Sequence, residues 1–170
     1  MSHFPKGYPA LRRGRWSMQH ADYFLTKCAR RPADCLHQKP LLAVGLREVQ
    51  QLAVDGAWVP RCAVFMPDHI HLLVTLGPDA DLSSVVRSFK GRMTPALREK
   101  QAGWQNSFYD HRLRTSDDLL PVFLYVFLNP YRASLCTQNQ TWPGYWCAPA
   151  DWAWFGDMTR ESRPEPAWLQ

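Results

Sequence analysis

The sequence contains no run that approaches the roughly 18 consecutive apolar residues of a membrane-spanning helix, and its polar N-terminus has no apolar segment of signal-peptide length. The five cysteines are odd in number and include no CxxC pair. This pattern argues against a secreted disulfide framework and against a structural zinc site. We therefore expect a soluble protein with reduced thiols in the cytoplasm and no membrane contact.

The charge balance is basic, because 20 Lys and Arg residues oppose 15 Asp and Glu residues and give a net charge of +5. A basic surplus suits a polyanionic partner such as nucleic acid, although many proteins without such a partner share it. The cations cluster at three places, and a solvated surface is the better explanation for any single cluster. The clusters are Arg12, Arg13 and Arg15; Arg30 and Arg31; and Arg87, Lys90, Arg92, Arg98 and Lys100.

A chain of 170 residues has the length of one domain. We divide it into a basic arm (residues 1–20), a core (21–135) and a tail (136–170) that is rich in tryptophan and proline and shows no helical or strand period. The indoles of the tail either pack back onto the core or stack on unpaired nucleic-acid bases.

Hydrophobic periodicity and turn residues predict seven elements in the core, in the order βαββαβα. The fold class is therefore α+β, with a mainly antiparallel sheet, since the second and third strands are joined too tightly to be parallel. The predicted strands are 21–29, 57–65, 69–76 and 108–114, and the predicted helices are 40–54, 81–100 and 115–129.

Four prolines qualify these elements. Pro60 implies an edge position or a bulge in the second strand, and Pro95 should kink the second helix or end it early. The third helix tolerates Pro121 only in its first turn, and it should give way near Pro130.

The third predicted strand carries two histidines on one face. His69 and His71 alternate with Ile70 and Leu72, so that one face is apolar and the other presents two imidazoles about 6.5 Å apart. That spacing allows both rings to bind one divalent ion if another group completes the shell. By itself, however, an HxH pair on a strand is more often a core or surface feature than a ligand pair.

The third predicted helix brings two further candidates. Tyr125 and Asn129 are four residues apart, so they share one face of the helix. The amide oxygen of Asn129 is a ligand that hard divalent ions accept, and the Tyr125 hydroxyl would lie one turn away. A tyrosine in an apolar helix is usually a packing residue, so this pair is also weak evidence alone.

Several strings together resemble the single-tyrosine HUH transposases, and in particular the REP-associated tyrosine transposases of bacteria. These strings are YPALRRGRWSM, YFLT, MPDHIHLLV, WQNSFYDHRLR and LYVFLNPYRASL, which extend from Tyr8 to Leu135 in matching order. The resemblance implies a ferredoxin-like βαββαβα domain, the order that the periodicity also predicts.

The resemblance also implies roles. His69, His71 and Asn129 match the ligands of a divalent ion, Mg²⁺ or Mn²⁺, and Tyr125 matches the nucleophile of a Y-x-x-x-N-P motif. Tyr109 and Tyr131 are rivals for the nucleophile that lack the one-turn relation to Asn129. We expect His111 to be structural rather than a proton-transfer group.

The implied activity is metal-dependent nicking and joining of single-stranded DNA beside a hairpin, through a covalent 5′-phosphotyrosine. The resemblance also implies a bacterial protein associated with the nucleoid, and it favours a monomer over a dimer. Six cations would contact DNA phosphates. The cations are Arg12, Arg13, Arg15, Arg87, Lys90 and Arg92.

Three other functions compete with this expectation. The first is a catalytically silent protein that binds hairpin DNA, as a domesticated transposase would. The second is a histidine-triad hydrolase, which Leu73 disfavours because that family carries a third alternating histidine there. The third is a structural metal-binding protein, for which the basic arm and the Tyr–Asn pair would be coincidences.

Overall fold

A computed structural model describes residues 17–30, 33–114, 119–137 and 140–156. The arm residues Arg12, Arg13 and Arg15 and the predicted helix start at residues 115–118 lie outside the described residues. Within the described ranges, no helix combines the length and apolar character needed to cross a membrane.

The core elements follow the predicted order βαββαβα, and two more elements come after them. The strands are β1 (Asp22–Cys28), β2 (Trp58–Phe65), β3 (His69–Leu76), β4 (Tyr109–Arg112) and β5 (Tyr145–Cys147), and the helices are α1 (Lys39–Val54), α2 (Leu82–Glu99), α3 (Leu119–Arg132) and α4 (Pro149–Phe155).

The five strands form one sheet in the order β4-β1-β3-β2-β5, with every neighbouring pair antiparallel. The histidine strand β3 is therefore central. The α+β, ferredoxin-like class expected from the sequence is confirmed.

Each face of the sheet covers its own hydrophobic core. Ile70, Leu72, Val74 and Leu76 of β3 point toward α1 and α2, as the alternation predicts. The opposite face packs against α3 and α4. Leu73 of β3 belongs to this second core, together with the buried apolar residues of α3. The histidines of β3 lie on this second face, so α3 is the helix that covers them.

Pro60 and Pro121 agree with the sequence prediction, whereas α3 does not give way at Pro130 but continues to Arg132. The register of β2 shifts between Pro60 and Cys62, which is the predicted bulge. The third residue of α3 is Pro121, within the first turn, where its missing N–H has no intrahelical partner to lose.

The prediction that Pro95 could end α2 early is wrong, because the helix continues to Glu99. Met93 and Leu97 are fully buried on either side of Pro95 and hold both parts of the helix against α1 and the sheet. The start of α2 agrees with the sequence, since the carboxylate of Asp81 accepts a hydrogen bond from the backbone N–H of Ser84.

The tail shows no helical or strand period in the sequence, yet β5 and α4 lie within it. Both elements are too short to show a period: β5 has three residues that pair with β2, and α4 has seven. Trp142 is buried and its indole N–H donates to the carbonyl of Phe65, which supports the packing interpretation for that residue.

An ion-pair network fastens the tail to the sheet. Arg61 lies at the bulge of β2 and contacts Asp22 of β1 at 3.1 Å and Asp151 of α4 at 2.6 Å. All three side chains are mostly buried. Truncating the cation would leave two partly buried carboxylates without their common partner.

We expect Arg61→Ala to lower the free energy of unfolding by about 3 kcal/mol, the range for breaking a buried pair from one side. The matched control is Arg98→Ala at an exposed position of α2, which should cost no more than about 0.5 kcal/mol. Urea unfolding of both variants measures the difference. Equal midpoints would contradict a stabilising role for the network.

Candidate active site

A row of side chains crosses the α3 face of the sheet at His71. In the strand register, Tyr109 of β4 lies opposite Thr26 of β1, Thr26 lies opposite His71, and His71 lies opposite Val64 of β2. Directly opposed residues of antiparallel strands point to the same face. The row therefore extends from the exposed edge of the sheet to its central histidine.

His71 is fully buried and its ring is held on one side only. Nδ1 lies 2.8 Å from the hydroxyl of Thr26, whereas Nε2 is buried without a hydrogen-bond partner. Burial and the neighbouring His69 hold the pKa of His71 well below its usual value, so the ring is neutral. A neutral imidazole with an unpartnered nitrogen is the form of histidine that binds a metal ion.

His69 is oriented in the same manner. Its Nδ1 lies 2.7 Å from the carboxylate of Asp68, and its ring centroid lies 4.6 Å from that of His71. If each Nδ1 carries its proton toward its oxygen partner, both Nε2 atoms present lone pairs. Such oxygen partners are what orient metal-binding histidines in proteins.

The side chain of Tyr125 meets this pair from α3. The ring centroids of Tyr125 and His71 are 5.2 Å apart, and Phe24 contacts both rings, at 5.6 Å from Tyr125 and 5.2 Å from His71. Both histidines and the tyrosine belong to one chain, so the site does not require a second copy to bring them together.

Burial raises the pKa of the Tyr125 phenol, while a hydrogen bond with the side chain of Asn129 and the positive charge of Arg132 act in the opposite direction. The structure thus joins Asn129 to Tyr125 as their spacing predicts. If the amide N–H₂ of Asn129 donates to the phenol oxygen, the amide oxygen is left as an acceptor for another group.

The two rival tyrosines differ from Tyr125 in their surroundings. The hydroxyl of Tyr131 donates to the carbonyl of Gln140 at 2.8 Å, within the tail. Tyr109 is half exposed on β4, and its ring contacts that of Phe24, which also contacts Tyr125. His111 is exposed on the same strand, opposite Phe24.

The basic residues of α2 lie across the sheet from Tyr125, because α2 packs on the other face. Arg92 contacts Asp55 at 2.8 Å and Glu48 at 3.8 Å. Arg87 and Lys90 occupy the same helix.

Among the described residues, no cluster of three or more His, Cys, Asp or Glu side chains could hold a metal ion. The histidine pair nevertheless fits one, because the orphaned Nε2 of His71 and the Nδ1 partners of both rings are the features such a site needs. The candidate for a third ligand is the amide oxygen of Asn129, whose side chain is hydrogen-bonded to Tyr125.

Sequence reasoning missed four neighbours of the site: Thr26, Asp68, Phe24 and Arg132. Asp68 precedes His69 directly, so adjacency could have suggested it. Thr26 and Phe24 depend on the register between β1 and β3, which no local pattern reveals.

The comparisons with known proteins agree with this architecture. A family model described as "Transposase IS200 like" matches residues 59–115, which contain the histidine strand and precede Tyr125. Together with the fold, this match confirms the resemblance to tyrosine transposases that the motifs indicate. No curated protein matches the chain significantly.

The solved structure of a REP-associated tyrosine transposase bound to a REP hairpin has a TM-score of 0.65 and 24% identity, over 85% of this chain and 82% of that one. This likeness shows the fold. A Deinococcus radiodurans R1 protein named only provisionally as a transposase has a TM-score of 0.48 and 16% identity, over 73% of this chain and 92% of that one, which is too distant to inform the site.

Proposed function

We propose that the chain is a transposase that nicks and rejoins single-stranded DNA beside a hairpin, with Tyr125 as the nucleophile. The observation that carries this proposal is the contact of Tyr125 with His71, a neutral histidine whose Nε2 has no hydrogen-bond partner. The side chain of Asn129 forms a hydrogen bond with the same tyrosine. The IS200-like match over residues 59–115 and the hairpin-bound structural relative support the substrate class.

His69, His71 and Asn129 would hold a divalent ion, Mg²⁺ or Mn²⁺. When bound, such an ion supplies electrostatic stabilisation for the charge that develops on the scissile phosphate. Thr26 and Asp68 would orient the two imidazoles through their contacts with Nδ1.

In the nicking step, the phenol oxygen of Tyr125 forms a bond to phosphorus in line with the departing 3′-oxygen. The bond between phosphorus and the 3′-oxygen breaks, the phenol releases its proton to solvent, and the 3′-oxygen takes up a proton from solvent. The products are a 5′-phosphotyrosine and a free DNA 3′-hydroxyl. Because burial raises the pKa of Tyr125, the phenol is protonated at neutral pH before attack. The hydrogen bond from Asn129 and the positive charge of Arg132 favour the phenolate as it forms.

The phosphotyrosine retains the energy of the phosphodiester, so attack by a DNA 3′-hydroxyl reverses the step and joins a strand. Water need not be activated. The exposed His111 has no assigned part in this scheme.

The direct test incubates a 3′-end-labelled single-stranded oligonucleotide that contains a hairpin with the protein and Mg²⁺ or Mn²⁺, because the 3′-terminal fragment is the one that would be joined to Tyr125. A denaturing gel should show a labelled species shifted by the mass of the protein. Binding of the hairpin without any covalent species would instead support a silent hairpin-binding protein, and the absence of both would remove hairpin DNA as the substrate.

The basic arm and α2 are proposed as two separate phosphate contacts. Replacing Arg12 and Arg13 with Gln should weaken hairpin binding. It should also reduce the slope of the logarithm of the association constant against the logarithm of salt concentration by about one to two units, because fewer counterions are released when fewer phosphates are contacted. The same replacements at Arg87 and Lys90 test α2. Each region whose double variant leaves the slope unchanged is not part of the interface.

A further inference from the structure

We propose that Arg132 and Tyr109 form a nucleotide subsite next to Tyr125, in which Arg132 pairs with a phosphate at the cleavage position and Tyr109 stacks on an adjoining base. The inference rests on the proposed function, since it assigns the groups that position the strand for attack by Tyr125. Neither residue belongs to the His–Asn–Tyr set.

Arg132 reaches the nucleophile because α3 continues through Pro130. Tyr125, Asn129 and Arg132 occupy positions i, i+4 and i+7, which share one face of a helix. The guanidinium carbon lies 5.9 Å from the centroid of the Tyr125 ring, and the residue is exposed. A cation at this point is close to any phosphate that Tyr125 attacks, and it can form two parallel hydrogen bonds with that group.

Tyr109 approaches Tyr125 from the edge of the sheet. It is 51% exposed, and its ring lies 6.4 Å from Phe24, which in turn lies 5.6 Å from Tyr125. The register places Tyr109 beside Thr26 on the active-site face of β4. An exposed aromatic ring at the rim of the site is suited to stacking on an unpaired base.

The charge around the subsite also suits a nucleotide. Asp110, the next residue of β4, pairs with Leu25 in the register and so points to the opposite face of the sheet. The carboxylate nearest the histidines is that of Asp68, which contacts His69. The two exposed side chains of the subsite are thus a cation and an aromatic ring, which match a phosphate and a base.

Stacking by Tyr109 is tested by equilibrium binding of hairpin oligonucleotides that carry one abasic nucleotide on either side of the scissile phosphate. Tyr109→Ala should weaken binding of the intact strand by about 10-fold, within the range for one lost stacking contact. The abasic change should cost wild type the same factor at one of the two positions but cost Tyr109→Ala nothing there. Tyr109→Phe should behave as wild type, because it keeps the ring.

Arg132 is tested through the rate of covalent adduct formation at saturating DNA. Arg132→Gln should lower this rate by about 10- to 100-fold, and Arg132→Lys should recover part of it, because lysine keeps the charge but not the paired hydrogen bonds. Arg47→Gln, at an exposed position of α1 on the far face of the sheet, is the matched control and should leave the rate unchanged.

The results separate the subsite from the function on which it rests. If wild type forms an adduct but the abasic penalty is the same in Tyr109→Ala, or Arg132→Gln reacts at the wild-type rate, the subsite is wrong while the transposase proposal stands. If wild type binds hairpins without an adduct, the nicking function fails, and the abasic comparison alone then decides whether Tyr109 stacks on the bound strand.

Discussion

Tyr125→Phe should abolish the covalent protein–DNA species, with a loss of at least about 10³-fold in the rate of adduct formation, since a nucleophile that acts through its oxygen has no substitute when that oxygen is removed. The ring of Tyr125 packs against His71 and Phe24, and phenylalanine keeps these contacts. The variant should therefore fold and bind hairpin DNA as wild type does.

The rival tyrosines provide matched controls for this experiment. Tyr131→Phe removes a hydroxyl that donates to Gln140 in the tail, and Tyr109→Phe removes one at the sheet edge. Both variants should still form the adduct. If Tyr125→Phe forms it and one of the others does not, the nucleophile is misassigned, and the geometry of α3 has been misread.

His71→Gln should remove the binding of Mn²⁺ and lower adduct formation by at least about 100-fold, because it replaces a buried imidazole whose Nε2 has no other partner. Two readouts are needed. In wild type, Mn²⁺ at 100 times its Kd should add about 2.7 kcal/mol to the free energy of unfolding, and in His71→Gln it should add almost nothing. The electron paramagnetic resonance signal of free Mn²⁺ gives the affinity without any DNA.

The free energies of unfolding of wild type and His71→Gln, measured in the absence of metal, show whether the variant is folded. Thr26→Val is the graded variant, because it preserves the shape of Thr26 but removes the hydroxyl beside Nδ1 of His71. It should weaken Mn²⁺ binding by about 10- to 100-fold. Equal Mn²⁺ stabilisation in wild type and His71→Gln would exclude His71 as a ligand.

Much of the core could be predicted from local patterns. The alternation in β3, the apolar stripe of α2 and the short link between β2 and β3 each depend on residues close in sequence, and the structure agrees with all three. The one-turn relation of Tyr125 and Asn129 is of the same kind, because it follows from helical geometry once Pro121 is in the first turn.

The predictions that failed involve contacts between distant parts of the chain. Pro95 does not end α2 because buried residues on both sides of it pack against other elements, an effect that exceeds the local penalty of the proline. The strand β5 exists because β2 offers it an edge, and a three-residue segment carries no period of its own.

The residue types of the site and the order of its elements were determined by the sequence alone, since strand alternation, helical spacing and turn chemistry act over a few residues. Only the tertiary structure decided that α3 covers the histidine face, that Thr26 lies against His71, and that the basic residues of α2 lie across the sheet. The reason is that strand order and register are set by the pairing of segments far apart in the chain, and they place β1 beside β3.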